Sequence, residues 1–289
     1  MTNKNMINIL IHRGIALGTL ALGLIAMAPI PAEAQGFGDR FENLRNRGRA
    51  TWEITRPGNY TLRRDFRARE GDAIVISASN VNLNLNGFAV SPAEGGTGRG
   101  IVIDGADCVT IRNGKVGGFQ TNVAVLNSEN SKVSDLLISG EGLAPAGGPS
   151  EIGIMIIDGR AITVRKNNIS SVNLGIFVRG GGSTGNRIEK NVLVGGTTDA
   201  NNLFGICYNP APNAGPEGPS GDSIYNNHIA RFNYAVSVSD GSLSNLFVDN
   251  TLSSFTGPFA NPSAFEAQGG TNAEFDNAST IIATTPVAP

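Results

Sequence analysis

Seven short apolar runs recur along this chain: Ile74-Val75-Ile76, Ile101-Val102-Ile103, Val123-Ala124-Val125, Ile154-Met155-Ile156, Ile176-Phe177-Val178, Ile206-Cys207-Tyr208 and Val236-Ser237-Val238. Their first members are separated by 27, 22, 31, 22, 30 and 30 residues, so a unit of about 22 residues carries insertions in some copies. A unit this small, made of tiny strands and turns, cannot bury its apolar face alone. It must stack on copies of itself as a solenoid. Within each run, alternation puts the first and third residues on one face, and stacking sets like upon like inside the coil.

A second signature follows each run. Two apolar residues stand five apart: Leu85/Val90, Ile111/Val116, Val133/Ile138, Val164/Ile169, Ile188/Leu193, Ile224/Ile229 and Phe247/Leu252. In the last four pairs the third residue after the first apolar one is asparagine: Asn167, Asn191, Asn227 and Asn250. Asparagine accepts left-handed geometry at a sharp corner, and stacked amides bond to one another along an axis. The pattern predicts three brief strands per coil, with an asparagine ladder at one corner.

These repeats resemble the right-handed parallel β-helix of the pectin-lyase-like superfamily, which carries such a ladder in its short turn. The resemblance covers residues 71–254, most of the chain, and ITRPGNYTL (54–62) with AIVI (73–76) and VNLNLNG (81–87) is similar to the first turns of many exported bacterial proteins. It implies an all-β, right-handed, single-stranded parallel β-helix of about 7–9 coils with a short N-terminal helical cap. It implies little about activity, because one fold hosts many functions.

The ends read differently from the middle. Lys4, His12 and Arg13, an apolar stretch over residues 14–27 and Ala32-Glu33-Ala34 form a secretory signal peptide over residues 1–34. The expected location is therefore periplasmic or secreted. No later run approaches the roughly 20 apolar residues of a membrane span. Residues 35–70 are expected to form the cap: a helix on Phe37, Phe41 and Leu44, then two strands around Pro57-Gly58. Residues 71–256 form the solenoid, and residues 257–289, with Phe259, Phe265 and Phe275, close its far end before a loose tail.

Charge is nearly balanced, at -2, which argues against nucleic acid as a partner. Arginine crowds into residues 40–69, where acids are interleaved, as in a solvated capping region. The two cysteines, Cys108 and Cys207, fall four coils apart. At about 4.8 Å per coil they are too distant for a disulfide, so two free thiols are expected.

Polysaccharide cleavage needs paired chemistry: two carboxylates, or a base beside cation sites. The resemblance places such sites outside the first strand. The outward line there reads Val75, Val102, Ala124, Met155, Phe177, Cys207, Ser237, and the line before it reads Ala73, Gly100, Asn122, Gly153, Gly175, Gly205, Ala235. One is apolar and the other tiny, a surface for close packing by the chain's own loops, by a second copy of the chain, or by a ligand. A more polar third line holds Ser77, Asp104, Leu126, Ile157, Arg179 and Asn209. Asp104, Asp158 and Arg179 are the catalytic candidates, although Asp-Gly at 104 and 158 is also ordinary turn chemistry.

Phe177, Arg179, Arg187 and Tyr225 are the candidates for substrate binding, with Arg160 a further guanidinium suited to an acidic sugar. Arg187-Ile188-Glu189-Lys190 superficially resembles the Arg-x-Lys element of polygalacturonases, but their His-Gly and Asp-Asp pairs are missing. After the leader the only histidine is His228, so no imidazole-based metal site and no cofactor is expected, calcium entering only if the chain is a lyase. The expectation is an exported β-helix that binds or scaffolds, touching carbohydrate or a cell-surface component. The alternative is a polysaccharide lyase, glycoside hydrolase or epimerase with an unfamiliar site.

Overall fold

The structure, a computed structural model, describes residues 51–93, 98–140, 151–196, 203–209, 218–238, 242, 244–259, 272–275 and 277–281. These all belong to one compact unit, Phe37–Pro289. The expected leader, the expected helix on Phe37, Phe41 and Leu44, Phe265 and the expected tail lie outside the described residues.

Every strand pairing in the described residues is parallel, and each strand pairs with its equivalent one coil away. The first sheet stacks β1 (Trp52–Ile54), β4 (Ile74–Ile76), β7 (Arg99–Asp104), β9 (Thr121–Leu126), β11 (Ile152–Ile157), β14 (Leu174–Arg179), β17 (Phe204–Asn209) and the end of β19 (His228–Val238). The second stacks β2 (Gly58–Thr61), β5 (Val81–Asn84), the starts of β8 (Thr110–Gly117) and β10 (Lys132–Ser139), then β12 (Thr163–Arg165), β15 (Arg187–Glu189), β18 (Ser223–Tyr225), β20 (Leu246–Val248) and β22 (Ala273–Phe275). The third runs from β3 (Phe66–Ala68) and β6 (Ala89–Pro92) through the ends of β8 and β10. It continues through β13 (Asn168–Ser170), β16 (Val192–Val194), the start of β19 and β21 (Thr251–Phe259) to β23 (Ala278–Ile281). The molecule is a right-handed parallel β-helix, the hand that parallel crossovers take.

The stack is longer than residues 71–256. Trp52 pairs with Ile74, Tyr60 with Leu83 and Phe66 with Val90, so residues 52–68 form a first coil instead of capping one. At the other end β22 and β23 add to β20 and β21. The edge-to-face Trp52–Tyr60 pair, with ring centroids 6.0 Å apart, fills the first coil, where an alternating sequence alone is too sparse to mark a repeat.

Inside, columns of β-branched residues run the length of the helix. Ile74, Ile101, Val123, Ile154, Ile176 and Ile206 lie in register and are fully buried. β-branched side chains suit such pleated, close-packed faces. One register expectation shifts: Leu83, not Leu85, pairs with Ile111. The corner of that coil is two residues longer, and Leu85 is buried within it, against Gly114.

The ladder residues lie at the corner between the second and third sheets. Asn191 Nδ2 donates to Asn227 Oδ1 at 3.0 Å and to the Val164 carbonyl at 2.9 Å, and Asn167, Asn227 and Asn250 repeat the pattern up to Asn277. These asparagines are not the left-handed residues. That conformation falls one position earlier, at Lys166 (φ 54), Lys190 (φ 56), Asn226 (φ 56) and Asp249 (φ 52), which leaves each amide free to turn inward.

A second ladder at the corner between the first and second sheets went unread in the sequence. Asn186, Asp222, Asn245 and Asn272 follow one another there, each backbone N–H donating to the next side-chain oxygen at 2.7–3.0 Å. The signal was present: each is polar, two residues ahead of the second-strand position of Ile188, Ile224, Phe247 and Glu274.

Candidate functional site

The outward middle line of the first sheet holds the register expected of it, from Val75 through Val102, Ala124, Met155, Phe177 and Cys207 to Ser237. It is not uniformly open. Val102 and Ala124 have no exposed surface within this single chain, and Cys207 is 6% exposed. No second copy is needed to cover those positions. Met155 and Phe177 are half-buried, and beside them runs a half-buried column of Ile152, Leu174, Phe204 and Tyr234. The rings of Phe204 and Tyr234 stack at 6.0 Å with planes 26° apart, an aromatic pair on neighbouring coils that the sequence reading missed.

The tiny line faces the other way from expectation. A Cβ on Gly153 would lie 2.6 Å from Ile169 Cγ2, and one on Gly175 would lie 2.6 Å from Leu193 Cδ2, both core side chains of the third sheet. Ala73 and Ala235 belong to the core outright. Simple alternation failed because the chain turns a corner here, and two consecutive residues such as Gly153 and Ile154 are both buried.

The catalytic candidates do not converge. Asp104 and Arg179 share one column, but Leu126 and Ile157 stand between them, so three coil spacings of about 4.8 Å separate the two. Asp158 is a turn residue: its own φ is 50, and its Oδ1 accepts the Gly182 N–H at 3.0 Å. Arg160 faces Glu129 at 3.8 Å on the surface.

The four binding candidates divide between two faces. Phe177 and Arg179 lie on the first sheet. Arg187 and Tyr225 lie together on the second, where the Arg187 guanidinium sits 5.6 Å over the Tyr225 ring and donates to its hydroxyl. Glu189, only 5% exposed, lies between Arg187 Nη2 at 3.1 Å and Arg165 Nε at 3.5 Å.

Two perturbed titratable groups are internal. Asp222 is 1% exposed, and burial pushes its carboxyl up to about 6, although bonds from Asn186 and Tyr208 pull the other way. Burial first, then Asp222, drive the Tyr208 phenol well above its ordinary value. Both side chains are enclosed in the coil, out of reach of a substrate.

The fold and its surfaces define a parallel β-helix protein with an apolar first face and a cationic second face. The chain belongs to the NosD family, described as periplasmic copper-binding protein, whose pattern matches residues 71–281. No curated protein matches the sequence significantly. Among solved structures it is similar to a DFA-IIIase from Arthrobacter chlorophenolicus A6, in complexes with GF2 (TM-score 0.53, 12% identity, 81% of this chain and 59% of that one) and with DFA-III (TM-score 0.52, 12% identity, 80% and 57%). At this identity the likeness is one of fold, and the chain spans less than two thirds of those structures.

The residues present do not fit copper. Copper is held by imidazole, thiolate and thioether donors. After residue 34 the chain has one histidine, one methionine and two cysteines. His228 lies on the third sheet and Cys108 at a corner, while Met155 and Cys207 are two coils apart on the first. Burial pushes the Cys207 thiol up to about 12, far from the thiolate a metal takes. Among the described residues no three His, Cys, Asp or Glu side chains gather as a metal site.

Proposed function

We propose that this chain is an exported, periplasmic β-helix protein that binds carbohydrate or a carbohydrate-bearing component of the cell surface, without cleaving it. The family description favours the periplasm, in agreement with the leader-like first 34 residues. One observation carries the binding reading: the outer face of the first sheet offers Met155, Phe177 and the Phe204–Tyr234 stack, half-buried, with no converging acid and base beside them among the described residues. Aromatic and apolar surface of this kind takes the carbon faces of sugar rings and leaves orientation to a few polar groups. Hydrolysis would need two carboxylates about 5–9.5 Å apart. Asp158 is committed to a backbone N–H, and Asp104 has the apolar Leu126 as its register partner on the next coil.

A glycan array probed with the purified chain tests this reading, followed by assays for new reducing ends and unsaturated uronates on any ligand found. Retention without product release is the expected result. Product release would make the chain an enzyme, and an array with no retained glycan would remove the carbohydrate reading.

A further inference from the structure

We propose that the outer face of the second sheet contacts the acid groups of a carboxylated polysaccharide, with Ser134 at the centre of the contact. This rests on the carbohydrate reading and specifies the chemistry that the ligand carries.

Two columns make up this face. Arg112, Ser134, Arg165, Glu189 and Tyr225 are in register on five successive coils, and Lys132, Thr163 and Arg187 run alongside. Four cations, Arg112, Lys132, Arg165 and Arg187, therefore occupy four successive coils. The one anion in these columns, Glu189, is buried and engaged by two of them. Four positive charges against one negative leave an excess of three.

Glu189 also orders what remains. It holds Arg165 and Arg187 in place, and Tyr225 lies beneath the Arg187 guanidinium. The Arg112 Nε donates to Asn82 Oδ1 at 3.3 Å. The Arg165 and Arg187 guanidinium groups, fixed on Glu189, lose little further freedom on meeting a carboxylate, which such groups bind through parallel N–H donors.

Ser134 supplies an independent observation. Its side chain points away from the core, is 1% exposed, and has no hydrogen-bond partner for Oγ. Its neighbours in register are Arg112 on one side and Arg165 on the other, with Lys132 on its own strand. A small residue between two long ones makes a notch, and an unpaired buried hydroxyl in its floor costs stability. A carboxylate oxygen supplies the acceptor that the hydroxyl lacks. It reaches Oγ when Arg112, held by a 3.3 Å bond to a neutral amide, swings aside on its flexible stem while Arg165 stays on Glu189. Coils follow each other at about 4.8 Å, so an extended acidic chain laid along the axis passes one cationic coil after another.

Calorimetric titration of the purified chain with polygalacturonate, and with a panel of neutral glycans, tests this. Polygalacturonate is expected to bind, and to bind less well as salt screens the cations. Lys132→Glu and Arg112→Glu should each weaken it by about tenfold or more. Ser134→Ala should weaken it several-fold while the melting temperature holds or rises, and Leu137→Ala, exposed on the third sheet, should leave it unchanged. Equal affinity in the wild type and Lys132→Glu would overturn the proposal. So would binding to phosphatidylglycerol vesicles in place of polygalacturonate, which would make the face a membrane contact. If only neutral glycans bind, the carbohydrate reading stands and this one falls; if no glycan binds, both fall.

Discussion

Tyr208 donates its hydroxyl hydrogen to Asp222 Oδ2 across 3.1 Å, inside the helix, from the two residues that bracket the insertion over 209–221. Everywhere else in the described part of its inward column stands an aliphatic residue, among them Ile156, Val178 and Val238. The phenol packs edge-on against Phe247 at 6.1 Å, and the carboxylate replaces an amide in the second ladder. The two exceptions to the repeat thus satisfy each other.

This pair makes stability depend on pH in an uncommon direction. Burial raises the Asp222 pKa to about 6, above the roughly 3.9 of an unfolded aspartate. A folded-state pKa raised in this way stabilises fully below the unfolded value and is lost as pH rises through the folded one. Between pH 4 and 7 the wild type should lose roughly 2 kcal/mol relative to Asp222→Asn. Urea denaturation of both proteins at several pH values reads this, and parallel stability curves would contradict it.

Adjacent corner residues should respond oppositely to truncation. Asn191 accepts from the Asn167 backbone and side chain and donates to Val164 and Asn227, all buried, so Asn191→Ala should cost about 3 kcal/mol or more. Lys190 holds a left-handed φ of 56 at the surface, and Lys190→Gly should be neutral or stabilise by about 1 kcal/mol. Chemical denaturation of the two variants decides whether the strained position and the ladder position are assigned correctly.

Gly175 is expected to tolerate no side chain. A Cβ there meets the Gly205 carbonyl oxygen and Leu193 Cδ2, so Gly175→Ala should cost about 1–3 kcal/mol through overpacking. An unchanged melting temperature would mean that the line faces outward after all.

The two thiols should separate cleanly. Cys108 is exposed, whereas Cys207 is buried with its pKa raised to about 12. Maleimide at neutral pH should modify one thiol in the native chain and two in urea, by mass. Rapid labelling of both in the native state would contradict the burial of Cys207.

The coil, its inward columns and the Asn167–Asn250 ladder were legible because like residues recur at like places, and stacking rewards that recurrence with burial. What was misread lies at corners. Gly153 and Gly175 were assigned outward by strict alternation, which assumes a straight strand, and the chain bends there. Leu85 was chosen over Leu83 because a five-residue spacing ignores a corner two residues longer. Asp222 escaped notice because a lone aspartate before an apolar residue looks like a turn; only the stack shows that Asn186 and Asn245 lie above and below it. Adjacency to glycine, which singles out Asp104 and Asp158 in the sequence, marks a turn as readily as a site, and Asp158 serves as a turn residue.

The inward corner between the second and third sheets changes character along the axis. Gly114 and Leu136 occupy it in the earlier coils, and an unbroken series of amides from Asn167 to Asn277 in the later ones. Each amide presents the same acceptor oxygen to the coil before and the same donors to the coil after. The later coils are therefore interchangeable at this corner: excising the 24 residues between one ladder position and the next, Asn167 to Asn191, would rejoin matching surfaces. The earlier coils, each with a different shape at that point, offer no such seam. A lineage could lengthen or shorten this protein by whole turns in its second half while its first half stayed fixed in number.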